Sequence, residues 1–481
     1  MIRNAGLSTA MNLYRAGLQF ALNVALATFL TPSDFGLVAL ILPVTLFILL
    51  IGDFGLTSAI IRSPTLSSSA AGAAWTLCVA FGAGLLAISV ALYALGAFAA
   101  FPPPLAGLTV TFAVVVLLTL EAIVPRAVIE RRLAYGRISL VETGSATLGF
   151  VAAVIVAKAG AGVWSFACYH FAMQGTRAVA YTAMAGDTTR PTGDWRAAMP
   201  LIGFGGWVVA FNLVNFVMRN GDRYFLGALL GTGALGIYVL GFQIMLVPLM
   251  AITWPVSGVL LSTLSRLGEA PSLQRSAFIA VLGLAATLTW PAMVFVAFRG
   301  DLLFGLMLPD RWDALGPVIS RMALAGGLQS ITAFIGPIFI VQGRLRQQFA
   351  LGAVATSATL GVIALTAWQT GSLIAVADAY LVLTGVMAIV YFALIAWMLS
   401  LPARAILATL MPAVLLSVVA VAAVLAVEAL VPIHGSVLHA VVATATYALV
   451  ALGLLAAQHR RLRESLRAMQ GAGIQAQATI A

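Results

Sequence analysis

The chain has 481 residues, 62% hydrophobic and 8% charged, with a mean hydropathy of +1.07 and a formal net charge of +10. A soluble domain carries roughly 25% charged residues, so a chain this long and this apolar has too little charge to cover a water-facing exterior, and lipid must be its solvent. The positive balance does not point to nucleic acid, because the basic residues are spread over short segments with no basic stripe, and Lys158 is the only lysine.

A hydrocarbon core of about 30 Å takes roughly 20 apolar residues to cross. The apolar runs here are long and continuous, unlike the short alternating strands of a membrane barrel. Helices, which pair their own backbone groups, are therefore expected. Breaks at Gly, Pro and charge predict an all-α integral membrane protein of about fourteen spans. Their centres fall near Phe20, Phe47, Leu86, Val116, Phe150, Phe171, Phe211, Leu249, Ala286, Ser330, Gly361, Met387, Val419 and Leu449. The segment before Thr9 is short and weakly polar, and no cleavable signal is expected.

The first predicted span carries Asn12, Arg15, Gln19 and Asn23 at helical spacing, so they share one face. A central Arg facing lipid costs roughly 2.5–3.5 kcal/mol on the insertion scale. This face is therefore expected to meet protein or a wet cavity, or else Arg15 snorkels to an interface. Asp53 is read as a polar residue inside the second span. Glu121 and Arg126 lie near the end of the fourth, and Glu142 in the fifth. The sixth holds His170, read as a polar core residue, and Gln174 and Arg177 one turn apart. The seventh repeats the stripe with Asn212, Asn215, Arg219 and Arg223, with Asp222 alongside. Further along, Arg321 and Gln329 share the tenth span. Asp378 and Glu428 look peripheral. Cys78 and Cys168 sit in apolar runs and read as packed thiols.

Thr31-Pro32-Ser33-Asp34-Phe35-Gly36-Leu37 resembles Gly231-Thr232-Gly233-Ala234-Leu235-Gly236-Ile237, at the same offset as the two polar stripes. Six spans lie between, and an even number implies a parallel repeat about an axis along the membrane normal. The expected organisation is a six-helix lobe over residues 1–196, a second over 197–400, two added spans over 401–457 and a basic tail over 458–481. Arginines concentrate on alternate loops (Arg62, Arg131, Arg132, Arg137, Arg190, Arg196, Arg266, Arg275, Arg344, Arg346 and Arg404). By the positive-inside rule those loops and both termini are cytoplasmic. The longest outward loop is expected around Arg299 to Asp313.

No P-loop, HExxH, GxGxxG or Cys/His metal cluster occurs. Neither a nucleotide-driven pump nor an enzyme is expected, and no cofactor or metal.

Several segments carry a family resemblance. They are Phe35-Gly36-Leu37-Val38-Ala39-Leu40; Asp53-Phe54-Gly55-Leu56 through Arg62; Pro125-Arg126-Ala127 with Glu130-Arg131-Arg132-Leu133-Ala134-Tyr135 through Val141-Glu142; Gly162-Val163-Trp164-Ser165; and Asp222-Arg223-Tyr224-Phe225-Leu226-Gly227 leading to Leu235-Gly236-Ile237-Tyr238. In order and spacing these resemble the bacterial polysaccharide exporters, the Wzx-type O-antigen or exopolysaccharide repeat-unit flippases, relatives of MATE transporters and the lipid II flippase. The resemblance covers about the first twelve spans. It implies two six-helix lobes around a cavity, plus two C-terminal spans. It also implies an inner-membrane protein that moves an undecaprenyl-pyrophosphate-linked oligosaccharide outward by alternating access, with a polysaccharide polymerase among its partners.

Arginine suits pyrophosphate because its fork donates paired bonds. Arg15, Arg219 and Arg223, with Arg177 or Arg321, are therefore the candidates for the headgroup. Asn12, Asn23, Asn212, Asn215, Gln19 and Gln174 are candidates for sugars or water. Asp53 and Asp222 are candidates for ion coupling, and Asp222 is equally placed to pair with Arg219 or Arg223. Pro248, Pro255 and Pro337 are candidates for bending or for close helix packing. A lipid II flippase, a cation-drug antiporter and a non-transporting scaffold of glycan synthesis are the alternatives.

Overall fold

The computed structural model describes residues 2–457 except 64, 100–102, 187–189, 268–269 and 432–435, and leaves undescribed the side chains of 2–10, 12–13, 103, 195, 197–198, 200–219, 436 and 457. The expected tail over 458–481 lies outside the described residues. Among them the chain is all-helical, with no strand.

Sixteen α-helices follow one another: α1 (Ile2–Phe29), α2 (Pro32–Gly52), α3 (Leu56–Arg62), α4 (Ser68–Ala94), α5 (Pro103–Arg131), α6 (Tyr135–Lys158), α7 (Trp164–Ala185), α8 (Trp195–Pro248), α9 (Trp254–Leu267), α10 (Pro271–Met307), α11 (Leu315–Thr332), α12 (Ile335–Val341), α13 (Leu345–Thr370), α14 (Leu373–Met398), α15 (Ala403–Leu430) and α16 (Ser436–Ala457). Eleven helical segments among the described residues are long and apolar enough to cross a membrane. Each of the fourteen expected centres falls on a helix, the eighth on a π-helical turn within one.

Local chemistry explains several boundaries. Thr31 caps α2 in a capping box: its hydroxyl accepts from the Asp34 N–H at 3.3 Å, and the Asp34 carboxylate accepts from the Thr31 N–H at 2.9 Å. Pro32 follows at the first turn, where its missing N–H costs nothing. Ser67 and Ser372 cap α4 and α14 with the hydroxyl alone, accepting from the N–H of Ala70 and Ala375. Inside the helices, Thr45, Thr119, Thr176, Thr289 and Thr359 return their hydroxyl protons to carbonyls one turn back, which satisfies them without water.

Two irregular stretches lie near the prolines read as candidates for bending or packing. A π-helical turn, Leu249–Thr253, separates α8 from α9 and lies between Pro248 and Pro255. The tenth expected span is interrupted between α11 and α12, and Pro337 sits inside α12. The expected outward loop from Arg299 is shorter than the sequence suggested. Arg299 does leave helical geometry (φ −129°, ψ 18°), but the apolar residues after it carry α10 on to Met307, and a single 3-10 turn, Asp310–Trp312, follows.

The chain divides into two compact units, Met1–Gly236 and Ile237–Ala481, so the division falls within α8. The expected lobe boundary at 196/197 precedes it. The stretch of α8 around Gly231–Gly236 packs closely on α2, as detailed below, which keeps it with the first unit.

In the first unit α5 packs on α4 and α7, α6 on α7, and α1 on α6. Its core includes Leu56, Ile60, Ala70, Ala74, Cys78, Val116, Leu120 and Val124. Small residues matter here because lipid gives helices no hydrophobic drive to associate, so close packing must supply the attraction.

In the second unit Leu260, Leu264, Phe278, Val281, Ala285, Phe334 and Ile395 form the main core. α15 and α16 dock on α10, where the Tyr447 hydroxyl donates to the Pro291 carbonyl at 2.8 Å. That carbonyl and Glu428, which also ties α15 to α10, give the added helices polar anchors.

A close contact joins α2 to α8. An ideal Cβ on Gly36 would lie 1.9 Å from the Thr232 carbonyl oxygen, and one on Gly236 would lie 1.8 Å from the Pro32 carbonyl oxygen. Ser33 and Thr232 hydroxyls hydrogen-bond at 2.6 Å. Thr232 and Gly236 are the repeat counterparts of Pro32 and Gly36, so each motif presses its glycine on the same position of the other. Such reciprocity is the signature of a two-fold relation between contacting segments. Gly231, at φ 83° and ψ 172°, provides the backbone turn that starts the second motif.

Candidate functional site

The polar face of α1 turns towards α6 and α7 of its own unit. The Tyr14 hydroxyl is 3.1 Å from Thr147 Oγ1 on α6. One position on, Arg15 Nη1 donates to Glu142 Oε2 at 3.0 Å. A turn later, Gln19 Oε1 accepts from the Tyr169 hydroxyl of α7 at 3.1 Å. Asn23 completes the stripe, 4% exposed.

Glu142 is the centre of this region. Its Oε2 also accepts from Arg177 Nη2 at 2.6 Å, and its Oε1 accepts from the Tyr181 hydroxyl at 2.8 Å, with Arg126 Nε at 3.8 Å. Four helices thus supply one site: Arg15 from α1, Arg126 from α5, Glu142 from α6, Arg177 and Tyr181 from α7. The helical period explains the last pair, since residues four apart share a face.

Arg177 is fixed on its remaining sides. Its Nη1 donates to Gln174 Oε1 at 2.8 Å and its Nε to Ser145 Oγ at 3.3 Å, while Gln174 Nε2 donates to Thr119 Oγ1 at 2.8 Å. Exposure grades across the site. The side chains of Glu142 and Arg177 are 13% and 20% exposed, Arg15 is 32% and Arg126 is 45%. Glu130 lies 3.9 Å from Arg126. Three guanidiniums therefore face one carboxylate at the centre, with a second at the edge, and the balance is cationic.

Among the expected residues, the structure brings together Arg15, Gln19, Gln174 and Arg177. Sequence reasoning had Glu142 and Arg126 only as an intramembrane acid and a helix-end base, and Tyr181 went unread. The usable signal was an ionisable residue inside an apolar run, which in lipid needs a partner. Arg223 and Asp222 are half-buried on α8, and the neighbouring Tyr224 hydroxyl donates to the Leu40 carbonyl of α2 at 3.5 Å. Asn12, Asn212, Asn215 and Arg219 lie outside the residues whose side chains are described.

Asp53 sits in the turn between α2 and α3, where it accepts from the Thr57 hydroxyl at 2.7 Å and the Thr57 N–H at 3.2 Å. In the second unit Arg321 pairs with Asp378 at 2.5 Å and donates to the Pro317 carbonyl at 2.8 Å. Gln329 donates to the Tyr380 hydroxyl at 2.6 Å, so two contacts link α11 to α14. Glu428, expected to be peripheral, receives Arg299 of α10 and stands 2.7 Å from His439 Nε2 of α16. It is a tie between the added helices and α10.

An apolar cavity of about 360 Å³ lies in the first unit between α2, α4, α5 and α8, lined by Leu40, Thr45, Leu85, Phe112, Val116 and Tyr224. Its lining carries no charged residue, which sets it apart from the Glu142 site. Among the described residues no group of three His, Cys, Asp or Glu is placed to hold a metal.

A family profile described as "Polysaccharide biosynthesis protein" matches residues 25–317. The chain belongs to this family. The match takes in Arg126, Glu142, Arg177 and Tyr181, with Arg15 just before it. Among curated family relatives, the lipopolysaccharide biosynthesis protein WzxC of Escherichia coli is 22% identical over 69% of this chain and 68% of its own. The succinoglycan biosynthesis transport protein ExoT of Rhizobium meliloti is 25% identical over 75% of this chain and 73% of its own.

Solved structures supply the fold. The lipid II flippase MurJ in an inward closed conformation gives a TM-score of 0.69 at 11% identity, over 95% of this chain and 98% of that one. An inward-facing multidrug resistance MATE transporter of the MOP superfamily gives 0.61 at 15% identity, over 82% of this chain and 98% of that one. This family member is therefore a multi-pass, all-helical membrane protein with the fold of those transporters.

Proposed function

We propose that this protein is a flippase for a polyprenyl-pyrophosphate-linked oligosaccharide, moving it from the cytoplasmic to the periplasmic leaflet of the bacterial inner membrane for surface polysaccharide assembly. The observation that carries the reading is the convergence of Arg15, Arg126 and Arg177 on Glu142 within otherwise apolar helices. A charge in lipid is costly and is kept for function or for pairing. Here the bases outnumber the acid at their centre, which suits an anionic cargo and disfavours an organic cation. Gln19, Gln174, Ser145 and Tyr181 add the neutral hydrogen-bonding groups that sugars and water need. The names of WzxC and ExoT agree with this substrate class.

In this reading the chain has fourteen spans. Eleven are the apolar segments above, and α1, α7 and the first part of α8 complete the count. Residues 1–196 and 197–400 form two six-helix lobes that alternate access, residues 401–457 add two helices, and both termini are cytoplasmic, as the alternating arginine-rich loops support. Arg219, Arg223, Asn212, Asn215, Asn12, Asn23 and Arg321 belong to the cargo path, Asp53 and Asp222 are the candidates for ion coupling, and a polymerase takes over the delivered units.

The test is complementation of a deletion strain with wild type, Arg177→Ala or Arg219→Ala at matched membrane levels. The expected result is loss of surface glycan with accumulation of lipid-linked units on the cytoplasmic leaflet. Normal glycan in the deletion strain, with altered resistance to cationic drugs, would refute the proposal.

A further inference from the structure

The Glu142 site is filled from within. Its carboxylate presents two oxygens to Arg15, Arg177 and Tyr181, in the manner that two oxygens of a phosphate would present themselves to the same donors. The arrangement is unequal. Arg177 is pinned by Gln174 and Ser145 and is the least exposed of the three bases. Arg126 stands at 3.8 Å from the carboxylate, too far for a hydrogen bond, and is 45% exposed. Arg15 is the next most exposed. An anion arriving from water meets Arg126 and Arg15 first, while Arg177 and Tyr181 stay with Glu142.

We propose that Glu142 is a resident counter-anion that holds the arginines in the empty protein, and that the pyrophosphate of the cargo competes with it for Arg15 and Arg126. This rests on the flippase reading and names the subsite within it. Two physical consequences follow. The empty site is closer to neutral and so crosses between states without three unpaired guanidiniums in a low-dielectric interior. Binding of a singly charged bulk anion is suppressed, because it must displace a tethered carboxylate, while a multiply charged pyrophosphate gains enough from Arg126 and Arg15 to win. The same carboxylate returns to the arginines when the cargo leaves, which speeds release.

The test is titration of the purified full-length protein in nanodiscs with inorganic pyrophosphate, using chloride as the singly charged control. Glu142→Gln keeps the shape and an acceptor for Tyr181 but removes the charge. It is expected to bind pyrophosphate about tenfold more tightly, since removing a close opposing charge shifts affinity by at least that factor. It is also expected to bind chloride measurably and to export glycan more slowly in cells. Glu142→Asp, which retracts the charge from Arg126, is expected to fall between wild type and Glu142→Gln, and it decides the matter if the Gln variant is not recovered monodisperse. A carboxylate that only braces the fold would lower or leave unchanged the pyrophosphate affinity in either variant, and that result would overturn the proposal. Tighter binding by Glu142→Gln together with normal glycan in the deletion strain would keep the counter-anion and overturn the flippase. Lost glycan in the deletion strain without tighter binding would do the reverse.

Discussion

Adding one methyl group at Gly36 or Gly236 probes the contact between the two repeat motifs. The new Cβ would lie 1.9 Å from the Thr232 oxygen in the first case and 1.8 Å from the Pro32 oxygen in the second, against a practical minimum of 3.0 Å. The backbones must part by at least 3.0 − 1.9 = 1.1 Å at Gly36 and 3.0 − 1.8 = 1.2 Å at Gly236. Neither neighbour is a flexible side chain, so no rotamer change relieves the clash. Overpacking of this kind costs roughly 1–3 kcal/mol, and the Ser33–Thr232 hydrogen bond at 2.6 Å is lost with it.

Alanine also improves helix propensity by up to about 1 kcal/mol over glycine, which sets the control. Gly84 of α4 has open space around its missing Cβ, so Gly84→Ala is expected to be neutral or stabilising. Because both motifs share one contact, the double variant Gly36→Ala/Gly236→Ala should cost less than the two singles combined. Thermal unfolding of the protein in detergent, alongside disulfide yield between Ser33→Cys and Thr232→Cys, measures this. Wild-type unfolding and crosslinking in both single alanine variants would refute the close approach and the local two-fold relation drawn from it.

Three other perturbations separate structure from transport. Tyr181→Phe removes one hydrogen bond to an ionised group and is expected to destabilise by roughly 1.5–3 kcal/mol, read by thermal unfolding, with Arg177 still in place. Glu428→Ala strands Arg299 in the second unit and is expected to cost roughly 3–5 kcal/mol, seen as easier proteolysis around α15 and α16. Asp378→Ala breaks a half-exposed pair with Arg321 and should change stability by less than about 1 kcal/mol. If Arg321 meets cargo, Arg321→Ala lowers export in the deletion strain with the same small stability change.

Much of the fold was legible because lipid imposes a strong rule on sequence. Each expected span centre fell on a helical segment, including those around Phe20, Phe171 and Phe211. Pro248 and Pro255 flank the π-helical turn, while Pro337 lies inside α12, so a proline in the sequence does not by itself locate a break. The spacing of Arg15, Gln19 and Asn23 gave their common face. Their partners could not be read, because Glu142 is 127 residues from Arg15 and Tyr169 is 150 from Gln19, and helical periodicity says nothing about contacts at such range.

The partners of Glu428, Arg299 and His439, were out of reach for the same reason, since they lie on other helices. The outward loop after Arg299 looked long because a charge inside an apolar run reads as a span end, whereas the helix bends there and goes on to Met307. The likeness of the two glycine motifs did not announce that their segments touch, which the close approach at Gly36 and Gly236 shows.

The most direct measurement is translocation by the purified protein in liposomes loaded with a polyprenyl-pyrophosphate oligosaccharide, read as loss of sugar from one leaflet to an impermeant glycosidase. Protein-dependent movement in wild type, slowed in Arg177→Ala and Arg126→Ala while both remain folded, is the expected result. A rate equal to that of protein-free liposomes, with the wild-type protein folded and inserted, would contradict flipping of this cargo.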